Sequence, residues 1–502
     1  MPTSRFDTCL AAVLAVASLG LWFGLGFPWD HHNESLVWVT DMQRAGIAHL
    51  FDWHPIRPVQ TWRPLGVAMA WTGWQLTQGI ALQQALNFAI TVLAWWVALR
   101  ASTARLAFGF AALLALAGFF SPYIYLFHLH GVFYGPLLVF LAWLLGRERL
   151  PADTGWNSAV SLLLLAALAA MFHTFAFLFF AAYVGASWLE LALRDRRWPS
   201  PLPVTVTIVV AAAVTKLLVS GSSDLASGDP VLGLLTSYRA LELNVLLSLL
   251  AGFFAVVAAA VAGRVHGGSP LLLGGLALAV SALLHVIGLP VTFAWILVCG
   301  IRALFERRLR LAALLGICAL LPVATSTGSP TYTVYVLMPC LLITVDGLAI
   351  PAARLVLVRA LGVAAVAATF ALLTLLRLEI PVPVVDGLAA SLRAEGEKTH
   401  QLKEALDWLA ADTSLTGQLA LCSQADFPIR SGNPLNRQFR PPTPEWPLGE
   451  YLQLVTGQRL RQPDGAALRL CFGGERPETA EVLKVWPGRH AGDATLVRLA
   501  PG

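Results

Sequence analysis

The chain has 502 residues, of which 57% are hydrophobic and only 13% charged, and its mean hydropathy is +0.69. A soluble chain carries about 25% charged residues, so these proportions exclude a soluble enzyme and describe a polytopic membrane protein. The formal net charge of +5 is no nucleic-acid signature, since no soluble segment interleaves Lys/Arg runs with aromatics.

A span needs about 20 apolar residues, fewer where neighbours bury its ends. Such segments are expected at 8–28, 80–99, 105–121, 132–146, 158–172, 174–193, 202–219, 241–263, 270–285, 289–304, 310–325, 331–349 and 356–377, thirteen in all. The first resembles a signal peptide, but its apolar run continues to Phe27, so it reads as an uncleaved span. With the N-terminus inside, the cytoplasmic loops receive Arg100, Arg105, Arg147, Arg149, Arg194, Arg196, Arg197, Arg264, Arg302, Arg307, Arg308, Arg310, Arg354 and Arg359. The short outer loops receive only Arg44, Arg57, Arg63 and Arg239. This asymmetry sets the orientation. It places residues 29–79 outside and, after an odd number of spans, the C-terminal region outside as well.

The first outer loop is the richest in reactive groups. Asp30, Glu34 and Asp41 fall within twelve residues, at offsets that one helix would align in a single stripe. His31 and His32 stand among them, and His49, Asp52, His54, Arg57 and Arg63 follow. Leu36, Val39 and Met42 recur at helical spacing behind Asn33, which suits a cap, so an amphipathic surface helix is expected. Arg63-Pro64 restarts the chain, and Trp62, Trp71 and Trp74 suit the membrane interface.

At Ile380-Pro381-Val382-Pro383 the composition turns polar. The chain thus divides into a membrane domain, 1–379, and a small extracytoplasmic α/β domain, 380–502. In the latter a helix is expected over 388–411 and strands at 419–422, 468–472 and 495–499. Of the six cysteines, Cys422 and Cys471 alone lie in this polar region, and an oxidising compartment would make them a disulfide candidate.

Eight of the eleven histidines (His31, His32, His49, His54, His128, His130, His173 and His285) fall near the outer side, which suggests a polar cavity opening there. Asp30, His31 and His128 could hold a divalent metal such as zinc, manganese or magnesium, though their spacing matches no defined motif. Lys216 is the only lysine before residue 398 and lies in an apolar run. It is either functional or a snorkelling interfacial cation. Arg57, Arg63 and Arg239 offer planar donors for an outer phosphate.

Asp30-x-x-x-Glu34, a helix ending near Met42-Gln43-Arg44-Ala45-Gly46, and Arg63-Pro64 before the second span together resemble the first outer loop of the GT-C superfamily. These are polytopic glycosyltransferases that use lipid-phosphate-linked sugars, among them protein O-mannosyltransferases and the aminoarabinose lipid A transferases. In this chain Asp30-His31 stands where many members have Asp-Glu, and Thr331-Tyr332-Thr333 lacks a neighbouring arginine. The resemblance implies an all-α, multi-pass protein of a bacterial cytoplasmic membrane. It implies Asp30 as catalytic base, with Glu34, Arg57, Arg63, His128, His130, Lys216, Arg239 and Tyr332 around a polyprenyl-phosphate sugar donor. The acceptor would be an extracytoplasmic glycan, lipid or protein. A lipid-linked glycan ligase or polymerase, a glycolipid transporter or flippase, and a non-catalytic glycolipid-binding scaffold are the competing classes. The scaffold differs in surviving loss of Asp30, and a transporter in having internal repeats.

Overall fold

The computed structural model describes residues 63–77, 131–148, 150–196, 198–219, 303–324, 386–415, 417–422, 467–473 and 477–499, with 42, 279, 283, 300, 301, 367, 371, 374, 375, 378–380, 456, 460 and 461 beside them. The described residues divide between two compact units. The first includes 63–66 and the described stretches from 131 to 324; the second includes Met42, 67–77 and the described stretches from 371 onward.

Helix α1 (Pro64–Thr77) opens on a proline, which is pre-set for the first helical turn. The helices wholly within the first unit are α2 (Gly131–Arg147), α3 (Trp156–Ala170), α4 (Ala176–Asp195), α5 (Leu202–Val219) and α6 (Leu309–Ala324). They coincide within two residues with the spans expected at 132–146, 158–172, 174–193, 202–219 and 310–325. Among the described residues α4 is long and apolar enough to cross a bilayer, and α3, α5 and α6 contain shorter apolar stretches.

Helix α4 packs against α2, α3, α5 and α6. Its residues Phe179, Phe180, Tyr183, Val184 and Ser187 are buried along one face. Helix α3 meets its neighbours through Ala159, Leu162, Ala166, Ala169 and Ala170. Its opposite face exposes Val160, Leu164, Leu165 and Leu168, and α5 exposes Leu202, Val206, Val209, Val210 and Leu217. An apolar outside around a small-residue inside suits lipid as the solvent. Polar side chains inside the helices bond to their own backbone: Ser187 Oγ donates to Tyr183 O, Thr207 Oγ1 to Pro203 O and Thr215 Oγ1 to Ala211 O, at 2.8, 2.8 and 2.7 Å. Local closure of this kind removes the need to solvate these three hydroxyls in hydrocarbon.

The polar pairs between helices gather at one end. Arg310 is 4% exposed and donates to both carboxylate oxygens of Glu190 at 3.0 Å. It also reaches Tyr183 Oη at 3.2 Å and Leu150 O at 2.9 Å. Arg308 grips buried Glu148 the same way, at 3.0 and 2.7 Å, and Arg147 donates to Ser158 Oγ. Below these pairs Trp188 Nε1 donates to Pro199 O at 3.0 Å, and its ring lies 5.0 Å from exposed Trp198. All six arginines described at this end (147, 194, 196, 307, 308 and 310) are ones expected inside.

In the second unit, helix α7 (Asp386–Ala411) precedes β1 (Gly417–Leu421), β2 (Leu460–Arg461), β3 (Leu468–Cys471), β4 (Glu481–Trp486) and β5 (Ala494–Arg498). The sheet runs β2-β1-β3-β5-β4. Strand β1 is parallel to β2 and β3, whereas β5 is antiparallel to β3 and β4. Leu402, Ala405, Leu406 and Leu409 of α7 recur at helical spacing and bury against alternate strand residues Leu419, Leu421, Leu468, Leu470, Ala494 and Leu496. Truncating one such leucine to Ala costs about 2–5 kcal/mol. Trp74 is buried in this same cluster, so packing takes the tryptophan that was expected at the lipid interface.

Cys422 and Cys471 are joined by a disulfide at the ends of the paired strands β1 and β3, their Cα atoms 4.8 Å apart. Crossing a separation of 49 residues, the bond stabilises by about 4 kcal/mol in the chain-entropy account.

The β4–β5 connection is fastened to α7 by one carboxylate. Glu397 accepts the backbone N–H groups of Arg489, His490 and Ala491 at 2.7, 2.6 and 2.6 Å. Gln401 Nε2 donates to Trp486 O and Gly492 O. Gly492 has φ +76°, which strains any side chain, and a Cβ there would come within 3.0 Å of the Gly473 backbone.

Two tests follow from these contacts. Glu190→Gln leaves the buried Arg310 guanidinium without its counter-charge and should lower stability by about 3 kcal/mol. Glu306→Gln, at the exposed Arg308–Glu306 pair of 3.7 Å, should cost under about 1 kcal/mol; chemical unfolding in detergent compares the two. Partial burial opposes ionisation of Glu397, but the three amide bonds outweigh it and hold its pKa below the ordinary carboxylate value. The clamp's stability is therefore complete above the unfolded value of about 4.3. It is lost as pH falls through the lower folded value. Glu397→Gln should remove that acid sensitivity at a cost of about 1 kcal/mol, read from tryptophan fluorescence during unfolding of the full chain.

Candidate functional site

The two ends of α4 differ in chemistry. A helix of 20 residues is about 30 Å long, enough to separate them by a membrane's apolar thickness. The Arg310 end is a set of closed ion pairs. The other end is the tight turn 171–175 between α3 and α4.

This turn satisfies its own backbone. Met171 N–H donates to Ala167 O, Phe172 and His173 N–H to Ala169 O, and Ala176 N–H to His173 O. The closure buries His173 and Thr174, each 1% exposed, with the imidazole 4.5 Å from the Phe175 ring. The start of α1 is tied to the same turn, since Leu65 N–H donates to Met171 O at 3.2 Å. The half-buried Arg63 thereby brings its guanidinium to 3.4 Å from His173 Nε2. On the other side of the ring, Phe175 N–H donates to Nδ1 at 3.3 Å.

Both imidazole nitrogens therefore face donors. A doubly protonated ring would turn an N–H toward each of them and set one cation against another. The ring is neutral, with one lone pair for two donors to share between tautomers. His173 thus places a neutral ring beside the Arg63 guanidinium. A guanidinium held this way at the end of an apolar bundle can bind a phosphate or carboxylate through paired N–H donors.

Of the residues singled out from sequence, the structure describes Arg63 and Lys216. Lys216 lies in the last turn of α5 and is exposed, a placement compatible with either reading of it. Asp30, His31, Glu34, Arg57, His128, His130, Arg239 and Tyr332 lie outside the described residues, and with them the proposed metal ligands. His173 was legible as an outer histidine, but its pairing with Arg63, 110 residues away in the chain, had no local signal.

No family model matches the chain, and no curated protein matches it. Among solved structures it is similar to the crystal structure of ArnT from Cupriavidus metallidurans bound to undecaprenyl phosphate. The match covers 97% of this chain and 98% of that one, at 15% identity and a TM-score of 0.44.

If the arginine-rich end faces the cytoplasm, Ser200→Cys in the exposed α4–α5 connection should react with a membrane-impermeant maleimide in inverted vesicles but not in intact cells. Labelling from outside would reverse the two ends.

Proposed function

We propose that the protein is a membrane glycosyltransferase moving a sugar from a polyprenyl-phosphate donor to an extracytoplasmic acceptor, which is a glycan, a lipid or a protein. The observation that carries this reading is Arg63. It stands at the end of an acid- and histidine-rich outer loop, and it is held at the tip of an apolar helix pair where a lipid-borne phosphate would arrive. The GT-C-like pattern Asp30-x-x-x-Glu34 with Arg63-Pro64 supports it from sequence.

In this reading Asp30 accepts the proton of the acceptor hydroxyl as that oxygen attacks the anomeric carbon. The carbon–phosphate oxygen bond breaks, and direct displacement inverts the anomeric centre. General-base assistance of this kind contributes roughly 10²–10⁴ in rate. The polyprenyl phosphate leaves with the bonding electrons, and Arg63, with Arg57 and Arg239, stabilises the charge that develops on it. Glu34, His128, His130, Lys216 and Tyr332 complete the proposed donor site. Asp30, His31 and His128 are the proposed ligands for a divalent metal. The 380–502 region is proposed to face the same outer compartment, which the Cys422–Cys471 disulfide favours.

Transfer from a panel of polyprenyl-phosphate sugars, followed in membrane vesicles, tests the assignment. Asp30→Asn should cut kcat about 10²–10⁴-fold with little change in KM. An unimpaired mutant would remove Asp30 as the base.

A further inference from the structure

We infer that the sheet face turned away from α7 carries a binding site for an oxyanion, a carboxylate or a phosphate monoester, held by Arg469 of β3 and Thr495 of β5. The site is assigned from the second unit alone and does not depend on the chain being a transferase.

Alternation along the strands places the two residues. Leu468 and Leu470 bury against α7, so Arg469 between them points to the opposite face. Ala494 and Leu496 bury in the same way on β5, which turns Thr495 to that face as well. Arg469 stands opposite Val497, and Cys471 stands opposite Thr495. Arg469 and Thr495 are therefore diagonal neighbours, about 7–8 Å apart, a gap that a long side chain can bridge. On its other flank Arg469 is paired with Ala420 of β1. Neither Ala420 nor Val497 offers a side-chain acceptor to the guanidinium.

Both residues hold an orphaned polar atom. Arg469 Nε and Thr495 Oγ1 are buried without a hydrogen-bond partner. Thr495 as a whole is 5% exposed, and Arg469 is half-buried. Among the described residues no carboxylate pairs with Arg469, in contrast to Arg308 and Arg310. A buried donor left unpaired costs stability, and folded chains hold few of them. Two on one sheet face, within a side chain's reach of each other, carry a cost that a shared ligand would remove.

The chemistry of the pair selects that ligand. A guanidinium presents Nε–H and Nη–H in one plane, which matches two oxygens of a carboxylate or a phosphate. The threonine hydroxyl can donate to the same group. Val485, opposite Thr495 on β4, is 40% exposed, so this face can be approached from the β4 edge.

Equilibrium dialysis of the full chain in nanodiscs, at fixed ionic strength, tests the site with labelled glucuronate, glucose 6-phosphate and glucose. The first two separate a carboxylate from a phosphate source, and glucose lacks the charge. At least one acid should bind saturably, and glucose should not. Arg469→Met keeps the side chain's bulk without its donors and should weaken that binding about tenfold; Thr495→Val should weaken it about fivefold. Anions held by arginines elsewhere in the chain would respond to neither substitution. Because each substitution removes an unpaired buried group, neither should lower the melting temperature of the ligand-free chain.

Failure of both acids to bind above the level of glucose would overturn the proposal. So would binding that either substitution leaves unchanged. Variants that both melt well below the natural chain without any probe would make Arg469 and Thr495 part of the sheet's packing, and would overturn it too.

Discussion

Guanidinium groups inside an apolar bundle must be paired, and the described helices are arranged around that requirement. In lipid, burying apolar surface gives no drive for helix association, so packing and polar contacts have to supply it. Arg310 joins α6 to α4 through Glu190 and Tyr183, and to the α2–α3 connection through Leu150 O. Arg308 joins the approach to α6 to Glu148, just beyond α2. Each guanidinium is bidentate, the geometry in which arginine is hardest to replace by lysine. The small residues of α3 and the aromatic face of α4 then fill the space that these pairs define.

The second unit is held by different means. It has a leucine core between α7 and one sheet face, the kind of burial that water drives. The Glu397 clamp adds a polar fastening at the β4–β5 connection, where the core does not reach. Three backbone amides on one carboxylate make an anion nest closed by the protein's own side chain. The core contributes several kcal/mol for each leucine and the clamp about 1. Acid should therefore loosen this connection before it affects the packing of α7.

The segments legible in the sequence were those whose burial follows a simple period. Spans α2 to α6 are apolar all round, α7 buries a stripe at helical spacing, and β1, β3 and β5 are short, largely buried apolar runs. Strand β4 was not legible: it is an edge strand whose only buried side chain is Trp486, and Lys484 interrupts any alternation. The two-residue β2 is too short to carry a period. Trp74 was misplaced because an interfacial tryptophan and a core tryptophan look alike until their neighbours are known. Arg310 and Glu190 are separated by 120 residues, and nothing local pairs them. The same limit applies to the candidate site. Arg63 could be chosen by residue type, whereas His173 became its partner only when the turn between α3 and α4 brought the two together.

Arginine meets different neighbours at the two ends of α4. Two unit charges about 4 Å apart interact by roughly 4 kcal/mol at an effective dielectric constant of 20. A carboxylate beside an arginine therefore raises the cost of recruiting that arginine to another anion by a comparable amount. Arg308 and Arg310 carry such partners and are committed to holding helices together. Against His173, Arg63 meets a neutral ring that offers a single lone pair to two donors. The carboxylate partners thus mark Arg308 and Arg310 as structural arginines, a distinction that composition and position in the chain cannot make.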